Sequence, residues 1–356
     1  MKNMKNRLVS CVCIAVALFN SCEKNDEIID GEESGNITMY RADTSYISGP
    51  DLSYNLEDFD PGKLSRAVEG FRDREFKKGM ILWSPVMGSL VQEKILTFGY
   101  PETTPCWTVA QWASKYSLKD AKLEILSNGD RVYANSAKTL ATNPDGSFKL
   151  ELKGKQEWGD HVKEPGESWP HIILAQPIYP EVIIPIAKCE NIYFSLDGIR
   201  EYCYNYMSED VDLRKYTAHT VVNFIIQNRH RDTPTYGKYY IIQFPCYDYR
   251  YDFPKKINAY DVGGKEHVTG MLMYGLSGDK LWDGTFKDGK WHKTRKDILP
   301  IILEAWPIAT QPDTPLEGAN INDFYLASVN LGWEVTGIFD ASMRFKNYSI
   351  KAVVNP

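Results

Sequence analysis

Glu334 is the carboxylate that the sequence most strongly marks as a candidate for chemistry. It lies in NLGWEV, residues 330–335, where Leu331, Trp333 and Val335 alternate with polar positions and predict a strand with one apolar face. A glutamate beside a tryptophan can have a raised pKa when it is partly desolvated, and a raised pKa suits a general acid. The alternative is an ordinary surface glutamate of a sheet.

His219 and Asp248 are the two further candidates for acid–base chemistry. His219 begins a strand over residues 219–228 and could act as a base, bind a hydroxyl or simply hydrogen-bond a carbonyl. Asp248 lies in YDYRYDF, residues 247–253, which if extended puts Asp248, Arg250 and Asp252 on one face. Four residues of strand span roughly 13 Å, too far for the two aspartates to form a glycosidase pair. Asp248 would need a carboxylate from another strand, and Arg250 could hold an acidic sugar; a solvent-exposed charge ladder is the alternative.

Side-chain amides accompany these groups on the predicted polar faces. Asn223 and Gln227 follow His219 along its strand, opposite Thr220, Val222, Phe224 and Ile226. Gln243 shares a face with Tyr239 and Tyr247 on the next strand, and Asn330 shares one with Glu334. Because amides both donate and accept hydrogen bonds, they match sugar hydroxyls.

Trp169 and His171 lie at the start of another predicted strand, in ESWPHIILAQ. A tryptophan beside a groove can stack on a pyranose ring, but buried tryptophans are also common in sandwiches. For Trp107 and Trp112 we expect packing, on a helical turn, rather than an exposed aromatic surface.

The sequence lacks the usual motifs of several catalytic and ligand-binding mechanisms. The chain has no G-x-S-x-G, P-loop, H-E-x-x-H or EF-hand loop. Four cysteines follow residue 22 without C-x-x-C spacing, so no zinc site is predicted and mostly buried, free thiols are expected: Cys106, Cys189, Cys203 and Cys246. We expect no metal and no cofactor.

Short strands separated by glycine turns dominate the rest of the chain. Asn128-Gly129 is typical of a tight hairpin, and strands are predicted at residues 79–83, 171–176, 191–196 and 268–275. One convincing helix is predicted over 294–309, ended by Pro307 and Pro312. This pattern predicts an all-β protein, an antiparallel β-sandwich with one or two short helices.

The C-terminal segment NLGWEVTGIFDASMRFKNYSI resembles the terminal strands of concanavalin A-like jelly rolls. The resemblance covers about the last two thirds of the chain and lies in strand lengths and aromatic turns. It implies a curved sheet whose concave face could hold a sugar chain.

The N-terminus predicts export and a lipid anchor. Lys2, Lys5 and Arg7 precede a short apolar run, and Ser21-Cys22 follows, so residues 1–21 resemble a lipoprotein signal that leaves Cys22 lipidated. The segment EKNDEIIDGEE after it resembles the acidic export tag of Bacteroidetes surface lipoproteins. We expect an acidic flexible tether over 22–55, a single sandwich domain over 56–356, and a location on the outer membrane at the cell surface.

Removing the signal takes away three positive charges and no acid, which changes the formal net charge from −6 to −9. An acidic protein without a basic patch is not expected to bind nucleic acid. We therefore expect outer-membrane lipid and a glycan as partners, with other glycan-uptake proteins as further candidates. The sequence favours a glycan-binding lipoprotein. A glycoside hydrolase or polysaccharide lyase using Glu334 with an Asp or His partner is the alternative, and an adhesin or structural lipoprotein is a second one.

Overall fold

A computed structural model describes residues 61–178, 184–261 and 269–355, and these are almost all strands and turns. The strands are β1 (Val68–Glu69), β2 (Met80–Trp83), β3 (Gln92–Leu96), β4 (Trp107–Ala110), β5 (Leu123–Ile125), β6 (Arg131–Ala134), β7 (Lys138–Thr142), β8 (Phe148–Lys153), β9 (His171–Pro177), β10 (Cys189–Asn205), β11 (Ala218–Asn228), β12 (Tyr239–Asp248), β13 (Ile257–Tyr260), β14 (Leu272–Gly275), β15 (His292–Asp297), β16 (Phe324–Val335) and β17 (Phe339–Val354). The helices are α1 (Pro61–Leu64), α2 (Gly154–Trp158), α3 (Gly278–Leu281) and α4 (Leu299–Ala309).

The described strands form two sheets, which confirms the predicted all-β sandwich. One sheet has the order β15-β10-β17-β8-β7-β6-β5, with β1 also paired to β17, and we call it the eight-stranded sheet. The other, the nine-stranded sheet, has the order β13-β14-β12-β11-β16-β9-β4-β2-β3. Neighbouring strands are antiparallel except for the pairs β2–β4 and β12–β14, which are parallel.

The main core lies between the two sheets and follows the period-2 alternation of the sequence. Phe224 of β11, Trp333 of β16 and Phe345 of β17 are fully buried in one apolar cluster. The rings of Phe194 on β10 and Phe224 meet edge to face across the sandwich, with centroids 4.8 Å apart. Burial of each such side chain stabilises the fold by about 1.5–3 kcal/mol, so the inward rows hold the two sheets together.

An apolar cluster covers part of the outward face of the nine-stranded sheet. Ile173, Ile225 and Ile241 pack there with Trp112, whose indole N–H donates to the Ser89 carbonyl at 3.0 Å. Trp107 instead lies in the main core, on β4. Both tryptophans are therefore packed, as expected, but on a strand and the turn after it rather than on a helical turn.

A β-bulge interrupts the pairing of β12 with β11. Thr220 lies opposite Tyr247 and Val221 opposite Pro245, so Cys246 is the extra residue. The bulge turns Tyr247 into the main core, which corrects the prediction that it shares a face with Gln243. It also explains how Pro245 fits in an interior strand, since a bulge does not require the missing N–H.

The predicted helix begins later than expected. Residues 294–297 belong to β15 because they pair with β10, and α4 starts at Leu299, whose N–H donates to the Asp297 carboxylate at 3.1 Å. Pro307 does not end the helix, which continues to Ala309. Of the four α-helices in the described residues, only α4 is longer than five residues.

The structure contains the predicted Asn-Gly turn and a shortened form of one predicted strand. The Asn128-Gly129 hairpin is present between β5 and β6, with Gly129 at φ +88°. The strand predicted over 268–275 is reduced to β14, which begins at Leu272.

No helix in the described part of the chain is both long and apolar enough to cross a membrane. The signal, the tether and residues 56–60 lie outside the described residues.

The four cysteines after residue 22 are free thiols in the structure, as expected. Burial, together with the nearby Asp297 carboxylate, raises the pKa of Cys189 to about 12. Burial also raises the pKa of Cys203 to about 12 and that of Cys246 well above its ordinary value. Thiols held in the protonated form are poor nucleophiles, so none of these three has a catalytic environment.

Candidate functional site

Four ionisable residues lie side by side across the nine-stranded sheet. In strand order they are His171 on β9, Glu334 on β16, His219 on β11 and Asp248 on β12, and each is directly paired with the next. We call this set the polar row. It brings together the three predicted catalytic candidates and adds His171, which was predicted as a binding residue.

Glu334 is the centre of the polar row. Its Oε2 accepts a hydrogen bond from the Trp169 indole at 3.0 Å and lies 3.6 Å from His171 Nε2. Its Oε1 lies 3.7 Å from His219 Nε2. The strand alternation sends Trp333 to the main core and leaves Glu334 on the opposite face, as predicted, but only 4 % of Glu334 is exposed.

The expected raised pKa of Glu334 is wrong. Burial raises the pKa of this carboxyl, but the charge of His219, together with the close approach and charge of His171, outweighs burial. The pKa of Glu334 is therefore held well below its ordinary value. Glu334 is an ionised hydrogen-bond acceptor, and a proton donor must be sought elsewhere.

Asp248 is bound by the arginine two residues after it. Arg250 donates from Nε and Nη2 to the two carboxylate oxygens at 3.0 and 2.8 Å, and Thr217 donates its hydroxyl to Oδ1 at 2.8 Å. Burial raises the pKa of Asp248, but the Arg250 hydrogen bonds and charge, together with the charge of His219, bring it below the ordinary value.

The predicted charge ladder over residues 247–253 does not form. β12 ends at Asp248, and the Tyr251 N–H donates back to the Asp248 carbonyl at 3.2 Å. The Asp252 side chain is 81 % exposed and lies 3.5 Å from Lys287. Arg250 thus braces Asp248 in a turn, where it also donates to the Arg214 carbonyl at 3.1 Å.

Three of the predicted binding amides form a second line across the same face. Gln243 on β12 donates to Asn223 on β11 at 2.8 Å, and Asn223 donates to Asn330 on β16 at 3.0 Å. We call these the amide row. It lies four residues from the polar row along β11, roughly 13 Å. Gln227 does not belong to it, because its side chain donates to the Gly237 carbonyl at the hairpin end.

Trp169 is not an exposed platform for stacking. The residue is 2 % exposed and packs with Trp158 and Ile338 in a small apolar cluster. Its ring stacks on His171, with centroids 5.8 Å apart. Trp169 therefore orients the Glu334 carboxylate and the His171 ring rather than offering a face to a ligand.

Gln243, His219 and Asp248 retain the largest accessible fractions in the two rows, at 9 %, 8 % and 8 %. Chemically, the polar row offers two ionised carboxylates with one imidazole between them and another at its end. It can accept hydrogen bonds and pass a proton through His219, but neither carboxyl is neutral at pH 7. In the described residues no three His, Cys, Asp or Glu side chains are grouped so as to hold a metal ion.

Sequence reasoning missed two hydrogen bonds that hold the site together. Thr217, directly before β11, hydrogen-bonds Asp248, and the Trp169 indole hydrogen-bonds Glu334 across two strands. The sequence gives only a weak indication of the Thr217 contact, because a hydroxyl residue at the end of a strand often hydrogen-bonds a neighbouring loop. The Trp169 contact depends on the β9–β16 register, which no local pattern reveals.

No family model matches the chain, and no curated protein matches it. Among solved structures it is similar to a family 12 xyloglucanase from Bacillus licheniformis, with 9 % identity, 69 % of this chain and 100 % of that chain covered, and a TM-score of 0.40. It is also similar to the endoglucanase cel12A from Rhodothermus marinus, with 10 % identity, coverage of 66 % and 97 %, and a TM-score of 0.34. A third is the xyloglucanase domain of a type three effector from Sinorhizobium fredii, solved with cellobiose, with 14 % identity, coverage of 67 % and 100 %, and a TM-score of 0.33. These scores carry no argument about function, and the sandwich assignment follows from the two sheets and their shared core.

Proposed function

We propose that the protein binds a polysaccharide or oligosaccharide on the outward face of the nine-stranded sheet, without cleaving it. The observation that carries this proposal is the pair of polar lines, the polar row and the amide row, on a face turned away from the main core. Their carboxylates, imidazoles and amides both accept and donate hydrogen bonds, as a ligand rich in hydroxyl groups requires. The rows lie roughly 13 Å apart along β11, a separation longer than one sugar ring.

The state of the carboxylates favours binding over cleavage. A glycosidase pairs an ionised carboxylate with a protonated one, whereas the pKa values of Glu334 and Asp248 are both lowered. The two lie on strands separated by β11, which places their backbones about 9–10 Å apart. This backbone spacing does not by itself exclude the carboxyl separation of an inverting enzyme, about 6.5–9.5 Å, so the lowered pKa values are what favour binding.

A glycoside hydrolase or polysaccharide lyase is the second candidate, and one contact favours it. His219 Nε2 lies 3.7 Å from the Glu334 carboxylate. An imidazole beside an ionised carboxylate can take up or give a proton, so His219 would supply the acid or base that the carboxyls do not. In this reading Glu334 would orient and charge-stabilise His219.

We further propose, from the sequence alone, that the chain is a lipoprotein held at the outer-membrane surface by Cys22. Glycan bound there would be available to other uptake proteins. If no glycan binds in the screen, the result would favour an adhesin without a small ligand.

The test is a glycan-array screen of the mature protein, followed by reducing-end assays on every hit. For His219→Ala we expect glycan affinity to fall about tenfold, because a hydrogen-bond partner of the ligand is lost. The matched control is His230→Ala, which changes an exposed histidine just beyond β11 and should bind as wild type.

Glu334→Gln separates the two candidates. For a binding protein we expect altered affinity with no product from any glycan, whereas an enzyme would lose turnover and retain its ligand. Equal binding by wild type and both row variants, after thermal unfolding has shown that all are folded, would overturn the proposed function.

A further inference from the structure

A second site lies on the opposite side of the sandwich, on the outward face of the eight-stranded sheet. A cavity of about 280 Å³ opens there between β10, β15, β17 and the loop after β1. Its volume equals that of about nine water molecules, enough for one small ligand. We call it the cationic cavity, because its charged lining residues are Arg74, Arg295 and Lys351.

The register of the strands explains why these side chains converge. Arg295 on β15 is paired with Ser195 on β10, and Ser195 is paired with Ser349 on β17. Lys351 lies two residues beyond Ser349 and therefore on the same face. The inward neighbours Phe194 and Ile350 are fully buried in the main core, so the alternation fixes the polar residues outward.

Two of the three cationic side chains already have a carboxylate partner. Arg295 forms an ion pair with Asp197, and Arg74 Nη1 lies 3.4 Å from Glu69 while its Nε donates to the Tyr348 carbonyl at 3.1 Å. Within residues 61–178, 184–261 and 269–355, no carboxylate lies within ion-pairing distance of the Lys351 ammonium group. The three cations and two carboxylates leave the cationic cavity with a net charge of +1.

The hydroxyls of the lining are oriented as acceptors. Ser195 donates its proton to the Asn347 carbonyl at 3.0 Å, and Ser349 donates to the Glu69 carboxylate. With both protons committed, the serine oxygens have lone pairs for a donor on a ligand. The cavity thus combines one unbalanced positive charge with hydroxyl acceptors beside it.

We propose that the cationic cavity binds a ligand that carries one oxyanion group, a carboxylate or a sulfate ester, next to hydroxyl groups. The oxyanion would lie against Lys351 and the two guanidinium groups, and the hydroxyls would donate to Ser195 and Ser349. An acidic monosaccharide, free or as a residue of a polymer, has this chemistry. The proposal does not depend on the proposed function, because the two sites are on opposite faces of the sandwich.

The test compares glucuronate with glucose as probes, since they differ chiefly in one carboxylate. Binding to the full mature chain is measured by calorimetry at constant ionic strength. We expect glucuronate to bind and glucose to bind at least tenfold more weakly. Lys351→Gln should lower glucuronate affinity about tenfold, because a charge-assisted hydrogen bond is lost.

Lys122→Gln is the matched control, because it removes the same charge from an exposed site beside β5, at the far edge of the same sheet. It should leave glucuronate affinity unchanged. Thermal unfolding of both variants checks that each is folded, and Ser195→Ala tests the acceptor role independently. Equal effects of Lys351→Gln and Lys122→Gln, or equal binding of the two probes, would overturn the proposal. Competition by acetate and by sulfate then distinguishes a carboxylate site from a sulfate site.

Discussion

At the scale of the residue, Glu334 shows how neighbours reverse the effect of burial. A carboxyl with 4 % exposure would by itself favour the neutral form, yet two imidazoles within 4 Å and an indole donor keep it ionised. The cost of burying the charge is offset only while these partners remain in place. The polar row is therefore a source of acid-dependent stability as well as a candidate binding site.

This pKa shift predicts how stability depends on pH. The folded-state pKa of Glu334 lies below its ordinary value of 4.5, so the carboxylate contributes stability above that pH. As pH falls below about 4.5, the unfolded chain takes up a proton that the folded chain does not, and the free energy of unfolding decreases. The slope from this one group is at most about 1.4 kcal/mol per pH unit.

Urea unfolding between pH 7 and pH 3 measures the effect. Glu334→Gln should show a shallower loss of stability in acid than wild type, because the group that titrates has been removed. Glu124→Gln, at an exposed position of β5, serves as the control and should retain the wild-type slope. Parallel curves for wild type and Glu334→Gln would contradict the lowered pKa.

At the scale of the element, β16 brings the polar row and the amide row onto one strand. Between Asn330 and Glu334 the chain has Gly332, where an added Cβ would lie 2.2 Å from the Ile172 carbonyl oxygen and 2.5 Å from the Ile173 Cα. Both obstacles are backbone atoms of β9, which cannot move without breaking the pairing that sets His171 opposite Glu334. A glycine is thus required by the close approach of two central strands.

Gly332→Ala is therefore expected to destabilise the fold by about 1–3 kcal/mol or more, through a backbone clash that side-chain repacking cannot relieve. Gly318→Ala is the comparison, since Gly318 has φ +71° and open space around it. Only the conformational cost applies there, about 1–2 kcal/mol. Chemical denaturation measures both, and a Gly332→Ala variant as stable as wild type would show that β9 and β16 are not closely fixed.

The elements also show which parts of the site could be predicted. Alternation on β11 and β16 placed His219, Asn223, Asn330 and Glu334 on one face correctly, because these strands are regular around those residues. Alternation failed on β12, since a bulge shifts it without a clear local signal. The helical pattern failed at residues 294–297, where pairing with β10 overrides it. The direction of the Glu334 pKa shift could not be predicted from the sequence, because it depends on side chains from β9 and β11.

At the scale of the whole molecule, the sandwich separates two polar surfaces of different character. The nine-stranded sheet carries the polar and amide rows outward, and the eight-stranded sheet carries the cationic cavity on the other side. The main core lies between them, so neither set of polar residues interrupts the apolar packing. A chain of this design could bind two ligands without competition between them.

The proposed anchor makes a prediction about the whole chain in its cell. Cys22→Ala should release the protein from the membrane fraction, because a lipidated N-terminal cysteine is the attachment. Detergent partitioning measures the distribution, and Cys11→Ala, a substitution inside the signal segment, should leave it unchanged. Retention of Cys22→Ala in the detergent phase would exclude the lipoprotein proposal.

The bulge in β12 makes strand register the critical variable at this edge of the site. With Cys246 as the extra residue, Asp248 reaches the face of His219, and Tyr247 reaches the core. If the bulge were lost with every residue retained, Tyr247 would lie opposite His219, and the Asp248 carboxylate would turn toward the core. Deletion of Cys246 would instead leave Asp248 opposite His219, because only the extra residue is removed. Exchange of Cys246 for another small apolar residue keeps the register and therefore the polar row. Loop grafting or recombination of this segment must therefore preserve the pairing of Asp248 with His219.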